Sequence, residues 1–158
     1  MPNIGYAAQV LALVLAIYAM ITAFVAGRTN RRQLLISAKN ASLGVTALLT
    51  LAVVILVYLL MTRHYQTEYV ANVSDNAATP FFRFTALWGG QDGSLLFFAW
   101  LMAVFAGVVL RSKWDNVQSL IPYAISTLQF VLIFFISLVV TVANPFKQLP
   151  FFPPDGQG

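Results

Sequence analysis

Cysteine is absent from this chain, which excludes disulfides, thiolate metal sites and thiol-based catalysis. Histidine occurs once, at His64, so no set of histidine ligands can be assembled either. Charge is the next scarcity: only 9% of the 158 residues are charged while 59% are hydrophobic, and so few charges cannot cover a soluble globule of this size. None of the charges falls before Arg28, and none interrupts the four longest apolar runs. That removes the usual marker of a proton or ion pathway and disfavours a stand-alone transporter. No Ser/His/Asp constellation, carboxylate pair or lysine-bearing phosphate loop is present, so nothing here supports catalysis by this chain alone or a metal site.

What is present is apolar sequence of membrane-spanning length. A hydrocarbon core about 30 Å thick needs roughly 20 residues of helix, and four runs qualify, at about 6–26, 41–61, 93–110 and 120–143. Arg28, Arg31, Arg32, Lys39, Arg111 and Lys113 fall in the connections 27–40 and 111–119, whereas Arg63, Arg83 and Lys147 fall in the loop 62–92 and the tail 144–158. Basic residues are retained on the cytoplasmic side, so six against three predicts inner loops at 27–40 and 111–119, an outer loop, an outer tail, and both termini outside. The net charge of +4 is thereby assigned to topology rather than to nucleic acid. The predicted fold class is all-α: one polytopic membrane domain, residues 1–158, with four transmembrane helices. Pro80 should stop any helix approaching it, Glu68–Val73 reads as a short extended piece, and Gln129, near the centre of the fourth run, as polar glue between helices.

The most distinctive stretch is Trp88-Gly89-Gly90-Gln91-Asp92-Gly93-Ser94, with Arg83 just before it. Asp92 is a natural N-cap for the third span, and the glycines permit a sharp turn. The bland reading is a capped helix start with Trp88 at the membrane interface. The sharper one uses the same geometry as an anion-favouring helix start, where a flat, carboxylate-bearing ligand such as haem would lie on Phe81, Phe82, Phe84 and Trp88 and meet Arg83 through a propionate.

Tyr69-Val-Ala-Asn, Trp88-Gly-Gly-Gln-Asp-Gly-Ser-Leu-Leu and Asn144-Pro-Phe, in this order and spacing, resemble the opening part of CcmF-type cytochrome c biogenesis proteins. Members of that family usually read Trp-Gly-x-x-Glu-Gly-Ser, so Trp88, Gly89, Gly93 and Ser94 carry over and Asp92 stands for the usual Glu. The resemblance implies a multi-pass protein of the bacterial inner membrane that helps deliver haem and attach it to apocytochrome c on the periplasmic face. The family's tryptophan-rich haem-binding segment and histidine ligands are not in this sequence. The resemblance therefore implies a partner that carries them, other haem lyase or maturation subunits, and haem handled without an axial ligand from this chain. The competing expectation is a shortened relative serving as a structural transmembrane subunit of a larger respiratory or photosynthetic complex.

Overall fold

The computed structural model describes residues 1–111, 118–151 and 153–157; Lys113, counted above with the inner loop, lies outside them. Among the described residues the chain is all-helical, without strands. Four helices are long and apolar enough to cross a membrane: α1 (Pro2–Thr29), α2 (Arg32–Met61), α5 (Gln91–Arg111) and α6 (Ile121–Thr141). Two shorter helices, α3 (Glu68–Val73) and α4 (Pro80–Gly89), lie between α2 and α5.

The long helices are built inside out relative to a soluble bundle. In α1 the buried face is a stripe of alanines, Ala8, Ala12, Ala16, Ala19, Ala23 and Ala26, while Leu11, Val14, Ile21 and Phe24 point outward. In α5, Gly93, Leu96, Ala99, Ala103 and Ala106 face inward and Phe98, Phe105 and Val108 outward. Small residues at the contacts let the backbones approach, and the bulky apolar side chains meet lipid. Around the bundle, α1 adjoins α2 and α6, and α5 adjoins the same two helices. Polar links join α2 to its neighbours: Gln129 Nε2 donates to Ser42 Oγ at 2.6 Å, Thr46 Oγ1 to the Ala103 carbonyl at 2.9 Å, and Trp100 Nε1 to Thr50 Oγ1 at 3.0 Å. Gln129 thus ties α6 to α2.

Helix extends well past the apolar runs. The connection expected over 27–40 shrinks to two residues, because α1 closes on Asn30 in the left-handed conformation (φ 53°) and α2 begins at Arg32. Arg28, Arg32 and Lys39 are therefore helical, and Arg28 lies over the Phe24 ring at 5.1 Å. At roughly 1.5 Å per residue, α1 and α2 run to about 42 and 45 Å, longer than a hydrocarbon core.

The loop 62–92 is also more helical than its sequence advertises. Glu68–Val73 is a helix rather than an extended piece: Glu68 sits at the positive end of its first turn, and Tyr69, Val70 and Ala71 are buried against the bundle, which overrides their β preference. Pro80 opens α4, in the first-turn position where a missing N–H costs nothing. With the tail, α3 and α4 close one end of the bundle. Both termini belong to that end, since Gln148 Nε2 donates to Asn3 Oδ1 and Phe146 lies against Gly5.

Candidate functional site

The three segments that carry the sequence resemblance meet in this end cap, and Tyr69 is its pivot. Its hydroxyl donates to the Ala86 carbonyl at 2.6 Å, lies 3.3 Å from the Leu87 carbonyl, and accepts the Gly90 N–H at 3.3 Å. The final turn of α4 and the start of α5 are thereby fastened to α3. Burial of the ring raises the Tyr69 pKa to about 12, so the hydroxyl remains a donor at any physiological pH.

The glycines of the Trp88–Ser94 segment divide by what surrounds them. A Cβ at Gly93 would run into the Tyr69 hydroxyl and the Leu87 carbonyl, and one at Gly90 would meet the Tyr69 ring at 2.8 Å and Val73 at 2.9 Å. A Cβ at Gly89 would meet nothing within 4 Å. No described glycine has a positive φ, so Gly90 and Gly93 serve close packing, and a left-handed turn is not what requires them.

Asp92 is not the N-cap. Gly90, in extended conformation, takes that place, its carbonyl accepting the Ser94 N–H at 3.0 Å, and α5 begins at Gln91. The crowding by Tyr69 and Val73 is the reason: no side chain fits at the cap position, so the acid sits inside the first turn, half-buried, at the positive end of the helix. Ser94 Oγ donates back to the Gln91 carbonyl at 3.0 Å.

The tail locks the other side of α3. Glu68 N–H donates to the Lys147 carbonyl at 2.9 Å and Leu149 N–H to the Gln66 carbonyl at 2.8 Å, with Thr67 and Gln148 paired as an isolated antiparallel bridge. A salt bridge of 2.9 Å joins Lys147 and Glu68 at the surface. Further along, Gln157 N–H reaches the Ala71 carbonyl, and Asp155 accepts the Asn76 N–H at 2.8 Å. Asn76 Oδ1 in turn accepts the Tyr65 hydroxyl at 3.1 Å, whose pKa is raised chiefly by burial and then by the nearby Asp155 charge.

Arg83 lies apart from the aromatic surface it was expected to share. It is buried on the inner side of α4 with Ala86 and Leu87, and its Nε has no hydrogen-bond partner among the described residues. Phe81, Phe84 and Trp88 occupy the outer side, while Phe82, Thr85, Ala86 and Gly89 turn toward residues 72–78 and line with them a groove of about 600 Å³. The structure thus does not bring the four aromatics and Arg83 onto one surface. Tyr69 and the tail are the residues that sequence reasoning missed as parts of the site, although Tyr69 opens a motif that carries the resemblance.

His64 is half-buried in the turn after α2, where its N–H donates to the Leu59 carbonyl and its carbonyl accepts the Thr67 N–H, and it already has an interaction partner. No group of three His, Asp or Glu that could hold a metal ion occurs among the described residues.

No family model matches the chain. The cytochrome c-type biogenesis protein CcmF of Haemophilus influenzae is 29% identical over 150 residues, covering 93% of this chain and 23% of that protein. CcmF of Pseudomonas fluorescens is 28% identical over 156 residues, covering 98% and 24%. The probable cytochrome c-type biogenesis protein NrfE of Escherichia coli is 29% identical over 112 residues, covering 71% of this chain and 20% of that protein. A solved structure of the cytochrome c haem lyase CcmF shares the fold with a TM-score of 0.85 at 21% identity, over 94% of this chain and 25% of its own. With its four apolar helices the chain is a multi-pass membrane protein. It is similar over nearly its whole length to the CcmF-type cytochrome c biogenesis proteins and spans about a quarter of the length of the relatives it matches.

Proposed function

We propose that this chain is the portion of a c-type cytochrome biogenesis haem lyase that presents the α3–α4–tail cap to a partner carrying the haem-ligating segment, and so assists haem delivery and attachment to apocytochrome c. The observation that carries the reading is the convergence of Tyr69–Asn72, Trp88–Leu96 and Asn144–Phe146 on one end of the bundle through the Tyr69 and Lys147 hydrogen bonds. Docking uses the edge from Trp88 to Ser94. Trp88, Gly89 and Gln91 are exposed there, and Gly90 and Gly93 hold the turn against Tyr69. Asp92 supplies the charge at the start of α5. Arg83 supports the edge from beneath rather than as an exposed contact.

In this proposal the cap faces the periplasm across a bacterial inner membrane, with both termini on that side. Arg28, Arg31, Arg32, Lys39 and Arg111 lie toward the opposite end of the bundle, against Arg63, Arg83 and Lys147 at the capped end, a bias that supports this orientation. A cysteine replacing Gln33 should resist an impermeant thiol reagent in intact cells while one replacing Asn76 reacts; reversed labelling refutes the orientation.

The test of function is genetic. Cells without this chain should lose haem-stained c-type cytochromes, and wild-type protein should restore them. Asp92→Asn should restore them poorly despite a normal amount of protein in the membrane, with Gly93→Val as the control for a misfolded cap. Normal cytochrome c maturation in the absence of the chain refutes the lyase reading. Loss of a respiratory or photosynthetic complex in those cells instead would establish the structural-subunit reading.

A further inference from the structure

We propose that α4 lies in the plane of the membrane surface, with Phe81, Phe84 and Trp88 immersed at the boundary between lipid headgroups and acyl chains. The proposal leaves Gly89 and Gln91, and not the Trp88 ring, as the exposed contacts of the docking edge proposed above.

The ten residues of α4 divide among three sides. Positions 81, 84 and 88, spaced by three and four, fall on one narrow arc. Arg83 and Leu87 turn the opposite way into the bundle, and Phe82, Thr85, Ala86 and Gly89 face the groove. The narrow arc carries no charge and is open: Phe81 is 70% exposed, Phe84 44% and Trp88 45%. The helix has a single charged residue, and that is the buried Arg83.

Depth is fixed by the connection to α5. Gly90 alone separates α4 from that spanning helix, so the end of α4 stands at the membrane boundary. From there the aromatic arc continues without a break onto the wall of α5: Phe84 to Trp88, Trp88 to Phe97 and Phe97 to Trp100 are each 5.6 Å between ring centroids. On that wall Phe98, Leu101 and Phe105 are exposed, as lipid-facing residues of a spanning helix are. An uncharged aromatic arc continuous with a lipid-facing surface, at interfacial depth, is the arrangement that tryptophan and phenylalanine favour in bilayers. Lipid then pins the Trp88–Ser94 turn from one side, as Tyr69 pins it from the other, and leaves the groove side of α4 open.

Because the chain has no cysteine, single-cysteine nitroxide labels test this directly. The full chain would carry Phe81→Cys or Phe84→Cys in vesicles of phosphatidylethanolamine and phosphatidylglycerol, with Phe105→Cys as a bilayer reference and Asn72→Cys as an aqueous one. Both test positions are exposed, so labelling there leaves the buried core intact, and a helical circular dichroism spectrum matching wild type verifies this. Labels at 81 and 84 should collide with oxygen several-fold more than with a water-soluble nickel chelate, following the label at 105, while the label at 72 shows the reverse. Nickel accessibility at 81 and 84 equal to that at 72 would put the arc in water. Protection from both reagents would put it under protein. Either result overturns the proposal.

Discussion

Replacing Gly93 and Gly89 by alanine, one at a time, should move stability in opposite directions although both belong to the same glycine-rich segment. Alanine favours helix over glycine by up to about 1 kcal/mol, and at Gly89 nothing within 4 Å opposes the added methyl. Gly89→Ala should therefore be neutral or stabilising by a fraction of that amount. At Gly93 the methyl is driven into the Tyr69 hydroxyl and the Leu87 carbonyl. The carbonyl belongs to backbone, and Tyr69 is held by its own hydrogen bonds, so neither yields cheaply. Overpacking of this kind costs about 1–3 kcal/mol; set against a helix gain of up to about 1 kcal/mol, a net loss of up to roughly 2 kcal/mol remains. The assay is reversible unfolding in mixed micelles of rising denaturing-detergent fraction, with hydrogen exchange in α3 and α4 reporting the cap itself. On a Tyr69→Ala background the penalty at Gly93 should shrink, because two of the three nearest contacts belong to Tyr69. Wild-type stability of Gly93→Ala, or equal damage from Gly89→Ala, would refute the packing account.

Tyr69→Phe leaves the Ala86 carbonyl without its 2.6 Å donor and should loosen the cap by about 1–3 kcal/mol, read by exchange of the α4 amides. The Tyr69 pKa is raised from 10.0 to about 12, so its contribution is intact below pH 10 and declines toward pH 12 as the unfolded form ionises first; tyrosinate absorbance and cap exchange should rise together over that window, and Tyr69→Phe should remove this part of the alkaline loss. Gln129→Leu removes the amide bonded to Ser42 and should cost no more than about 1–2 kcal/mol in mixed-micelle unfolding, since such bonds within membranes are individually modest. Lys147→Met should be almost silent in the same assay, because its 2.9 Å salt bridge to Glu68 is exposed and the tail is held by backbone bonds that the substitution keeps.

The membrane spans were legible because hydrophobic length is a property of the chain itself: twenty-one uncharged residues such as Ala41–Met61 have few other uses. The cap was not, and the reason lies in where its determinants sit. Tyr69 and Gly93 are 24 positions apart, and no local pattern announces that a phenol will occupy the space a Cβ would need. Glu68–Val73, with its tyrosine and two valines, reads as strand in isolation and is helical because Tyr69, Val70 and Ala71 find burial on one side. Asp92 was read as the cap because Asp is a good one, whereas the place is taken by a glycine chosen for the absence of a side chain. Arg83 beside three phenylalanines suggests a shared surface, yet helical spacing alone sends position 83 to the opposite side from 81, 84 and 88.

The residues most distinctive in the sequence are thus largely spent on one another. Gly90 and Gly93 admit Tyr69, the Tyr69 hydroxyl closes the end of α4, the Lys147 and Gln66 carbonyls order α3 against the tail, and Phe146 fills the space over Gly5. What this leaves free at the edge is narrow: Gly89 and Gln91 at the turn, and the groove between α4 and residues 72–78. A cap so tied at both sides is a rigid platform, and rigidity is what a docking edge requires, since a partner then meets a formed surface and need not order one. Gly93→Ala therefore bears on cap stability and on docking together. If it lowers cap stability and cytochrome c maturation together while Gly89→Ala lowers neither, rigidity of the Tyr69 joint is what the docking edge depends on. If Gly89→Ala leaves stability untouched but weakens maturation, the exposed turn itself is the contact.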